Sequence, residues 1–232
     1  LEWERGVMIR GLIFDFDGLM VDTETAALDS WVDIFQEYDC EFPYDAWAKV
    51  LGGSGRDFDA CGYLAQRTGL QIDPEELRAR RGRRKLELVA EEPLMPGIAD
   101  YLAEGKRSGL TLGVASSSSR GWVVGHLDRL GATDLFDAIV TGDDVARVKP
   151  DPELYLLALA RLGLEPHEAI VFEDAPNGVL AAKRAGIFTV AVPNALTCEL
   201  PLDHADLRVT SLADLPLTDL LAAVERHAGT SA

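Results

Sequence analysis

Five short apolar runs alternate with helical patterns along most of the chain, and this alternation constrains the fold more than any other feature. Each run is rich in β-branched residues and is bounded by Gly, Asp, Ser or Pro, as buried strands are. The runs are 7–14 (VMIRGLIF), 110–115 (LTLGVA), 138–141 (AIVT), 169–172 (AIVF) and 189–192 (TVAV), and the helical patterns between them are 97–108, 120–130, 152–162 and 178–185. This order predicts an α/β fold with a central parallel sheet and helices on both faces.

The stretch from about residue 23 to residue 92 breaks the alternation. It shows four helical patterns, at 24–38, 44–51, 56–69 and 74–91, and no convincing strand. We therefore expect residues 8–22 and 93–228 to form the sheet core and residues 23–92 to form an inserted all-helical domain. Ligands of open parallel sheets bind outside the carboxyl ends of the strands, so functional residues are expected where strands end.

The first strand ends in Asp15-Phe16-Asp17-Gly18, which sends two carboxylates to the same side of the strand. Two like charges so close are costly unless a cation lies between them or one carboxyl holds a proton. Either state suits catalysis, because an ionised Asp beside Mg²⁺ can be a nucleophile and a protonated Asp a general acid. A loop that only caps a helix is the alternative. A calcium loop is excluded, since Gly stands at its fourth position and no Glu at its twelfth.

Three further motifs lie between a strand and a helix. Ser116 and Ser117 precede a helix, where a hydroxyl and free backbone N–H groups make either an anion site or a plain cap. Lys149 lies in a proline-fixed loop and either balances a phosphate or is a solvated surface residue. Glu173 and Asp174 follow the fourth strand and either supply the oxygen ligands that Mg²⁺ prefers or cap a helix. The carboxyl ends of parallel strands share one edge, so these groups are expected to meet.

A formal charge of −17 narrows the range of partners. So acidic a surface is a poor match for nucleic acid or an anionic membrane, and neither is expected as a partner. An anionic substrate therefore needs Lys, Arg or a bound metal to concentrate positive charge locally. The three cysteines form no CxxC pair and no apolar run is long enough to span a membrane, so we expect a protein of the reducing cytoplasm.

The four motifs, in this order, resemble the haloacid dehalogenase superfamily, in the branch with a helical cap that includes beta-phosphoglucomutases and sugar-phosphate phosphatases. The resemblance covers residues 9–224 and implies a Rossmann-like three-layer core. It implies that Asp15 becomes an aspartyl phosphate and that Asp17 protonates the leaving oxygen and then activates water. It also implies that Mg²⁺ is held by Asp15, the Asp17 carbonyl and Asp174, with Glu173 in support. The phosphate would be held by Ser116 and the Ser117 backbone, and Lys149 would balance its charge.

The resemblance also implies the reaction class, because dehalogenases of this superfamily lack the second aspartate, a departing halide needing no proton, whereas Asp17 is present here. We expect a Mg²⁺-dependent phosphatase acting on a small phosphomonoester, above all a sugar phosphate. Arg56, in a Gly-rich cap loop, and Glu24, in a segment like the start of small sugar-phosphate phosphatases, are expected to contact the substrate. The basic run at 78–85 is expected to be a solvated helix face.

Two other functions remain open. A beta-phosphoglucomutase-like hexose-phosphate mutase is the first, although the resemblance places a cap His where this chain has Ala27, which favours hydrolysis. A non-catalytic binding protein of the same fold is the second, and the intact set of four motifs argues against it. The expected partner is a small phosphorylated metabolite, with the chain a monomer or a weak homodimer.

Overall fold

The computed structural model describes residues 8–48 and 58–230, and their contacts divide the chain into two compact units. The first runs up to Val21 and resumes at Leu94, and we call it the sheet unit. The second is Asp22–Pro93, whose described residues form helices and no strands, and we call it the helical unit. The chain leaves and re-enters the sheet unit side by side, because Val21 and Leu94 form an antiparallel bridge and the Met95 N–H donates to the Met20 carbonyl at 2.9 Å.

Six parallel strands form one sheet in the order β3-β2-β1-β4-β5-β6. They are β1 (Gly11–Phe14), β2 (Thr111–Ala115), β3 (Ala138–Val140), β4 (Ala169–Glu173), β5 (Phe188–Ala191) and β6 (Leu207–Arg208). The predicted α/β parallel sheet is confirmed, and β6 is an addition that has only two residues and therefore no apolar run. The strand order reverses between β1 and β4, which is the switch point where open α/β sheets bind ligands.

Helices cover both faces of this sheet. Gly105 of one helix lies against the Leu12 and Leu112 side chains, whereas Ile13 joins Leu154 of another helix in a buried cluster. Successive strand residues point to opposite faces, so Leu12 and Ile13 mark two separate layers. The helices are α5 (Ile98–Arg107), α6 (Arg120–Arg129), α7 (Glu153–Leu162), α8 (Pro176–Arg184) and α9 (Leu217–Thr230), with 3-10 turns at Thr133–Leu135, Gly142–Asp144, Pro166–Glu168 and Leu212–Asp214.

Four helices make up the described part of the helical unit: α1 (Thr23–Gln36), α2 (Tyr44–Ala48), α3 (Ala60–Thr68) and α4 (Pro74–Ala90). The side chains of Asp22, Asp59 and Asp73 accept backbone N–H groups at the starts of α1, α3 and α4. Such caps satisfy donors that have no partner inside the helix. The predicted end of the second helix and start of the third fall at 49–57, outside the described residues.

The basic run of α4 is not simply a solvated face. Arg84 Nε lies 2.7 Å from Asp33 of α1, and Arg80 pairs with Glu37 just after that helix. The Arg81 guanidinium lies over the Trp31 ring at 5.5 Å. These basic side chains therefore join the two longest helices of the unit. No helix among the described residues has the length and apolar character needed to cross a membrane.

Candidate active site

The loop after β1 places Asp15 at the centre of the sheet edge. The Asp15 N–H donates to the Phe172 carbonyl of β4 at 3.0 Å, so the end of β1 is tied to the end of β4. Gly18 then turns the chain with φ of +82°, and a Cβ there would lie 2.5 Å from an oxygen of Asp174. Glycine is thus required both by the left-handed backbone and by the close approach of Asp174.

Lys149 joins the carboxylates of two neighbouring strands. Its ammonium pairs with Asp15 and lies 2.7 Å from Glu173, and its side chain is 7% exposed. Tyr155 of α7 donates its hydroxyl to Glu173, and the ammonium lies 5.0 Å from the centre of the Tyr155 ring. Burial works against the charged lysine, but Asp15 and Glu173 outweigh it and hold the pKa of Lys149 above its ordinary value. The surface alternative for Lys149 is therefore wrong.

Asp15, Glu173 and Asp174 form a buried group whose carboxylate oxygens lie within 4.8 Å of one another. Burial raises the pKa of the Asp15 carboxyl to about 8, although Lys149 acts to lower it, and the charges of Glu173 and Asp17 add to the rise. Ionisation of all three carboxylates would leave an excess of negative charge beside a single lysine. Because Mg²⁺ takes oxygen ligands and supplies two positive charges, this donor set fits that ion.

Asn194 supports this group from the loop after β5. Its side-chain amide donates to Asp174 at 2.8 Å and to the Gly18 carbonyl at 3.1 Å. Its own carbonyl oxygen accepts the N–H groups of Leu196 and Thr197, which fixes the loop. Asn194 is 8% exposed and thus holds a carboxylate of the group by a buried hydrogen bond.

Asp17 is held by the segment that follows β2. Its Oδ2 accepts the Ser118 hydroxyl at 2.6 Å and the Ser116 hydroxyl at 3.2 Å, and its Oδ1 accepts the indole N–H of Trp122 at 2.8 Å. The Ser118 N–H donates to Ser116 Oγ at 3.0 Å, and Ser117 is exposed on the same loop. The two aspartates of the motif therefore contact different elements. Asp15 contacts β4 and the Lys149 loop, whereas Asp17 contacts the loop before α6 and the start of that helix.

Of the substrate-contact residues predicted in the insertion, Glu24 lies in the first turn of α1. Burial lowers the pKa of Arg81, and the charge of the Glu24 carboxylate acts to raise it, so Glu24 interacts electrostatically with a residue of α4. Arg56 lies outside the described residues. The structure thus brings Asp15, Lys149, Glu173 and Asp174 together, with Asp17, Ser116 and Ser117 on the adjoining loops, whereas Glu24 belongs to the other unit.

Sequence reasoning missed four polar residues of this site, which are Ser118, Trp122, Tyr155 and Asn194. Ser118 directly follows Ser116 and Ser117, both of which are predicted from the sequence, so its neighbours give a signal. Trp122 and Tyr155 occur inside helical patterns, where an aromatic residue indicates core packing. Asn194 lies in a loop after β5, and its partner is 20 residues earlier in the sequence, so no local pattern indicates the contact.

Comparisons with known proteins agree with this geometry. Residues 12–192 match the family model described as "Haloacid dehalogenase-like hydrolase". The chain is 44% identical over 214 residues to "Putative phosphatase YhcW" of Bacillus subtilis (strain 168), covering 92% of this chain and 97% of that protein. It is 34% identical over 230 residues to "Validoxylamine A 7'-phosphate phosphatase" of Streptomyces hygroscopicus subsp. limoneus, covering 97% of this chain and all of that protein.

Among solved structures, the fold is similar to the "Crystal structure of putative beta-phosphoglucomutase from Thermotoga maritima". The TM-score is 0.78 at 28% identity, and the match covers 94% of this chain and 99% of that one.

Proposed function

This chain belongs to the haloacid dehalogenase-like hydrolase family and is a phosphatase of the sugar-phosphate type, and on that premise we propose that it hydrolyses a small phosphomonoester through an aspartyl phosphate with the help of Mg²⁺. The observation that carries the proposal is the buried Asp15–Lys149–Glu173 contact at the switch point of the sheet. Phosphoryl transfer needs positioning and charge neutralisation, and this arrangement supplies both.

In the first half of the reaction, a carboxylate oxygen of Asp15 attacks the phosphorus atom. The bond from phosphorus to the ester oxygen breaks, and that oxygen takes a proton from Asp17 and leaves as an alcohol. The Ser116 hydroxyl and the Ser117 backbone hold the phosphoryl oxygens, and Lys149 offsets their charge. Asp15 is left as the aspartyl phosphate and Asp17 as a carboxylate.

In the second half, a water molecule attacks the phosphorus atom of the aspartyl phosphate. Asp17 takes a proton from this water, the bond from phosphorus to the Asp15 oxygen breaks, and inorganic phosphate leaves. Asp15 returns as a carboxylate and Asp17 as an acid, so the enzyme is restored. One residue thus serves both as acid and as base, in succession.

The proposed metal ligands are the Asp15 and Asp174 side chains and the Asp17 carbonyl, with Glu173 in support. When bound, Mg²⁺ neutralises the charge of the carboxylates and of the phosphoryl group. The Asn194 amide orients Asp174 for this role, as partners of ligating carboxylates commonly do. The proposed location is the cytoplasm, which the three unpaired cysteines favour.

The proposal is tested by phosphate release from a panel of small phosphorylated metabolites. We expect release in Mg²⁺ and its loss in EDTA, with sugar phosphates preferred. Asp15→Asn removes the nucleophile and should abolish release, whereas Asp203→Asn, the same change at an exposed position of the sheet unit, should keep it. Near-normal turnover by Asp15→Asn would contradict the mechanism.

A mutase of the same fold is the second candidate, because the similar solved structure bears that name. Hydrolysis is favoured over the mutase reaction, because the methyl side chain of Ala27 has no group that could hold Asp17 or move a proton. A hexose phosphate with a sugar bisphosphate primer, followed by phosphorus NMR, separates the two. Phosphate that moves between sugar positions, rather than appearing free, would replace the phosphatase proposal with the mutase.

A further inference from the structure

The general acid proposed above is held by an aromatic residue that no part of the mechanism uses. Trp122 lies in the first turns of α6, and its indole N–H donates to Asp17 Oδ1 at 2.8 Å. The two residues are 105 positions apart in the sequence, so the contact is created by the fold. We propose that Trp122 is a positioning residue that orients the Asp17 carboxyl for proton transfer.

The indole ring is itself fixed on the other side. His126, one helical turn further along α6, meets the Trp122 ring edge to face at 4.4 Å between centroids. The His126 ring is stacked with Phe16 at 6.2 Å, and Phe16 is the residue between the two aspartates. Trp122 thus contacts Asp17 directly and contacts the neighbouring Phe16 through His126. These contacts on both sides of the indole fix the direction of its N–H.

The start of α6 is also held, which keeps Trp122 in place. The Arg120 N–H donates to Asp143 at 2.8 Å, and the Arg120 guanidinium bonds Asp144 at 3.0 Å and the Ile139 carbonyl at 3.0 Å. Asp144 also accepts Arg161 of α7 at 2.8 Å. Because these groups tie the first residue of α6 to β3 and to the turn that follows it, Trp122 is carried on a fixed helix end.

The chemistry of the partners distinguishes the two oxygens of Asp17. An indole N–H can only donate, so Oδ1 is an acceptor in this orientation. The Ser116 and Ser118 hydroxyls can donate or accept, so Oδ2 can carry a proton without losing its partners. Trp122 therefore keeps Oδ1 as an acceptor and turns Oδ2 toward the Ser116 and Ser118 hydroxyls, beside the proposed phosphate site.

This inference rests on the proposed function, and the choice of leaving group tests it. An alkyl phosphate releases an alkoxide, which needs a proton as the bond breaks, whereas nitrophenolate is stable without one. Loss of Asp17 orientation should therefore slow the first half of the reaction mainly for alkyl phosphates. A general loss of structure would slow both substrates alike.

The experiment compares kcat/KM of the wild type and Trp122→Phe on p-nitrophenyl phosphate and on the best alkyl phosphate of the panel. We expect kcat/KM to fall by about tenfold or more for the alkyl phosphate and by less than about threefold for p-nitrophenyl phosphate. Trp31→Phe, the same change on α1, is the matched control and should not separate the substrates. An equal fall on both substrates, or no fall on either, would overturn the role of Trp122.

A second measurement tests the contact in case Trp122→Phe does not fold. In protein labelled with ¹⁵N-tryptophan, Asp17→Ala should move one indole N–H resonance upfield, because its acceptor is lost. If no indole resonance responds, Trp122 does not bond Asp17 and the inference is wrong. Wild-type protein that hydrolyses neither substrate would instead refute the proposed function, and the resonance shift would still decide the contact.

Discussion

The burial of Asp15 links the stability of the metal-free protein to pH. Its carboxyl is buried and its pKa is raised from 3.8 to about 8, first by burial and then by Glu173 and Asp17, against the effect of Lys149. The folded state therefore favours the protonated form more than the unfolded state does. The stabilisation from this group is complete below the unfolded pKa and is lost as the pH rises through the folded pKa.

The free energy of unfolding in EDTA should therefore be lower at about pH 8.5 than at about pH 5. Asp15→Asn is neutral at both values and should show a smaller fall, whereas Asp203→Asn should behave as the wild type does. Urea unfolding at the two pH values measures the difference. A wild-type stability that does not change across this interval would contradict the raised pKa.

Asn194 gives a second prediction for a single residue. Asn194→Ala removes the amide that holds Asp174, so the concentration of Mg²⁺ needed for half-maximal activity should rise by roughly 10- to 100-fold. Thr197→Val is the control, because the Thr197 hydroxyl accepts the Asn194 N–H and helps the loop without touching Asp174. An equal effect of the two changes would show that Asn194 acts only through the loop.

For single residues, prediction from the sequence depended on whether the residue follows a strand or lies inside a helix. Asp15, Ser116 and Asp174 each follow an apolar run, so their position after a strand marked them out. Trp122 and Tyr155 stand inside helices, and nothing local separates an aromatic residue that donates to a carboxylate from one that only fills the core. The hydrogen-bond partner of such a residue is known only once the strands are in order.

Among the elements, α5 is fastened to the segment just before α9 by a buried hydroxyl. Tyr101 of α5 is 1% exposed and donates to the Leu215 carbonyl at 2.6 Å. Burial raises the pKa of Tyr101 to about 12, with the charges of Glu104 and Asp219 adding to the shift. The neutral phenol is thus favoured in the folded state, and its contribution to stability is lost as the pH rises from about 10 to about 12.

Tyr101→Phe should lower the free energy of unfolding by about 1 kcal/mol, because the Leu215 carbonyl loses a buried partner. The loss should be present at neutral pH, since the phenol is protonated there in both states. Tyr44→Phe, at an exposed tyrosine, should change stability little. Urea unfolding of the three proteins measures this, and a neutral Tyr101→Phe would show that the bond contributes nothing.

The boundaries of the elements were less predictable than their order. The first apolar run begins at residue 7, but β1 begins at Gly11, where the register with β2 and β4 starts, and Met8 is 71% exposed. An apolar run records side-chain hydrophobicity and neither burial nor hydrogen bonding, so it overestimates the strand. β6 shows the opposite error, because its two residues pair with β5 but are not buried, so no apolar run marks the strand.

For the whole molecule, the charge of −17 makes self-repulsion a general cost of folding. Salt screens such repulsion, so the midpoint temperature of unfolding in EDTA should rise between about 20 mM and about 150 mM KCl. Thermal unfolding followed by circular dichroism measures it. A midpoint that falls with added salt would mean that attractive ion pairs, such as those of Arg80 and Arg84, outweigh the repulsion.

The fold class could be predicted because alternation of strands and helices is a property of the whole chain. The reversal of strand order between β1 and β4 could not, since these two neighbouring strands are far apart in the sequence. That reversal is what brings the end of β1 beside the end of β4, and so the site depends on a pairing that no local pattern contains.

The bridge between Val21 and Leu94 bears on how such proteins diverge. The two residues are bonded neighbours within the sheet unit, so any segment inserted between them starts and finishes at one place. Recombination can exchange that segment for one of another length and leave the register of β1, and hence Asp15, unchanged. The ancestry of the chain between these two residues need not match the ancestry of the rest, and family trees built from the two parts can differ.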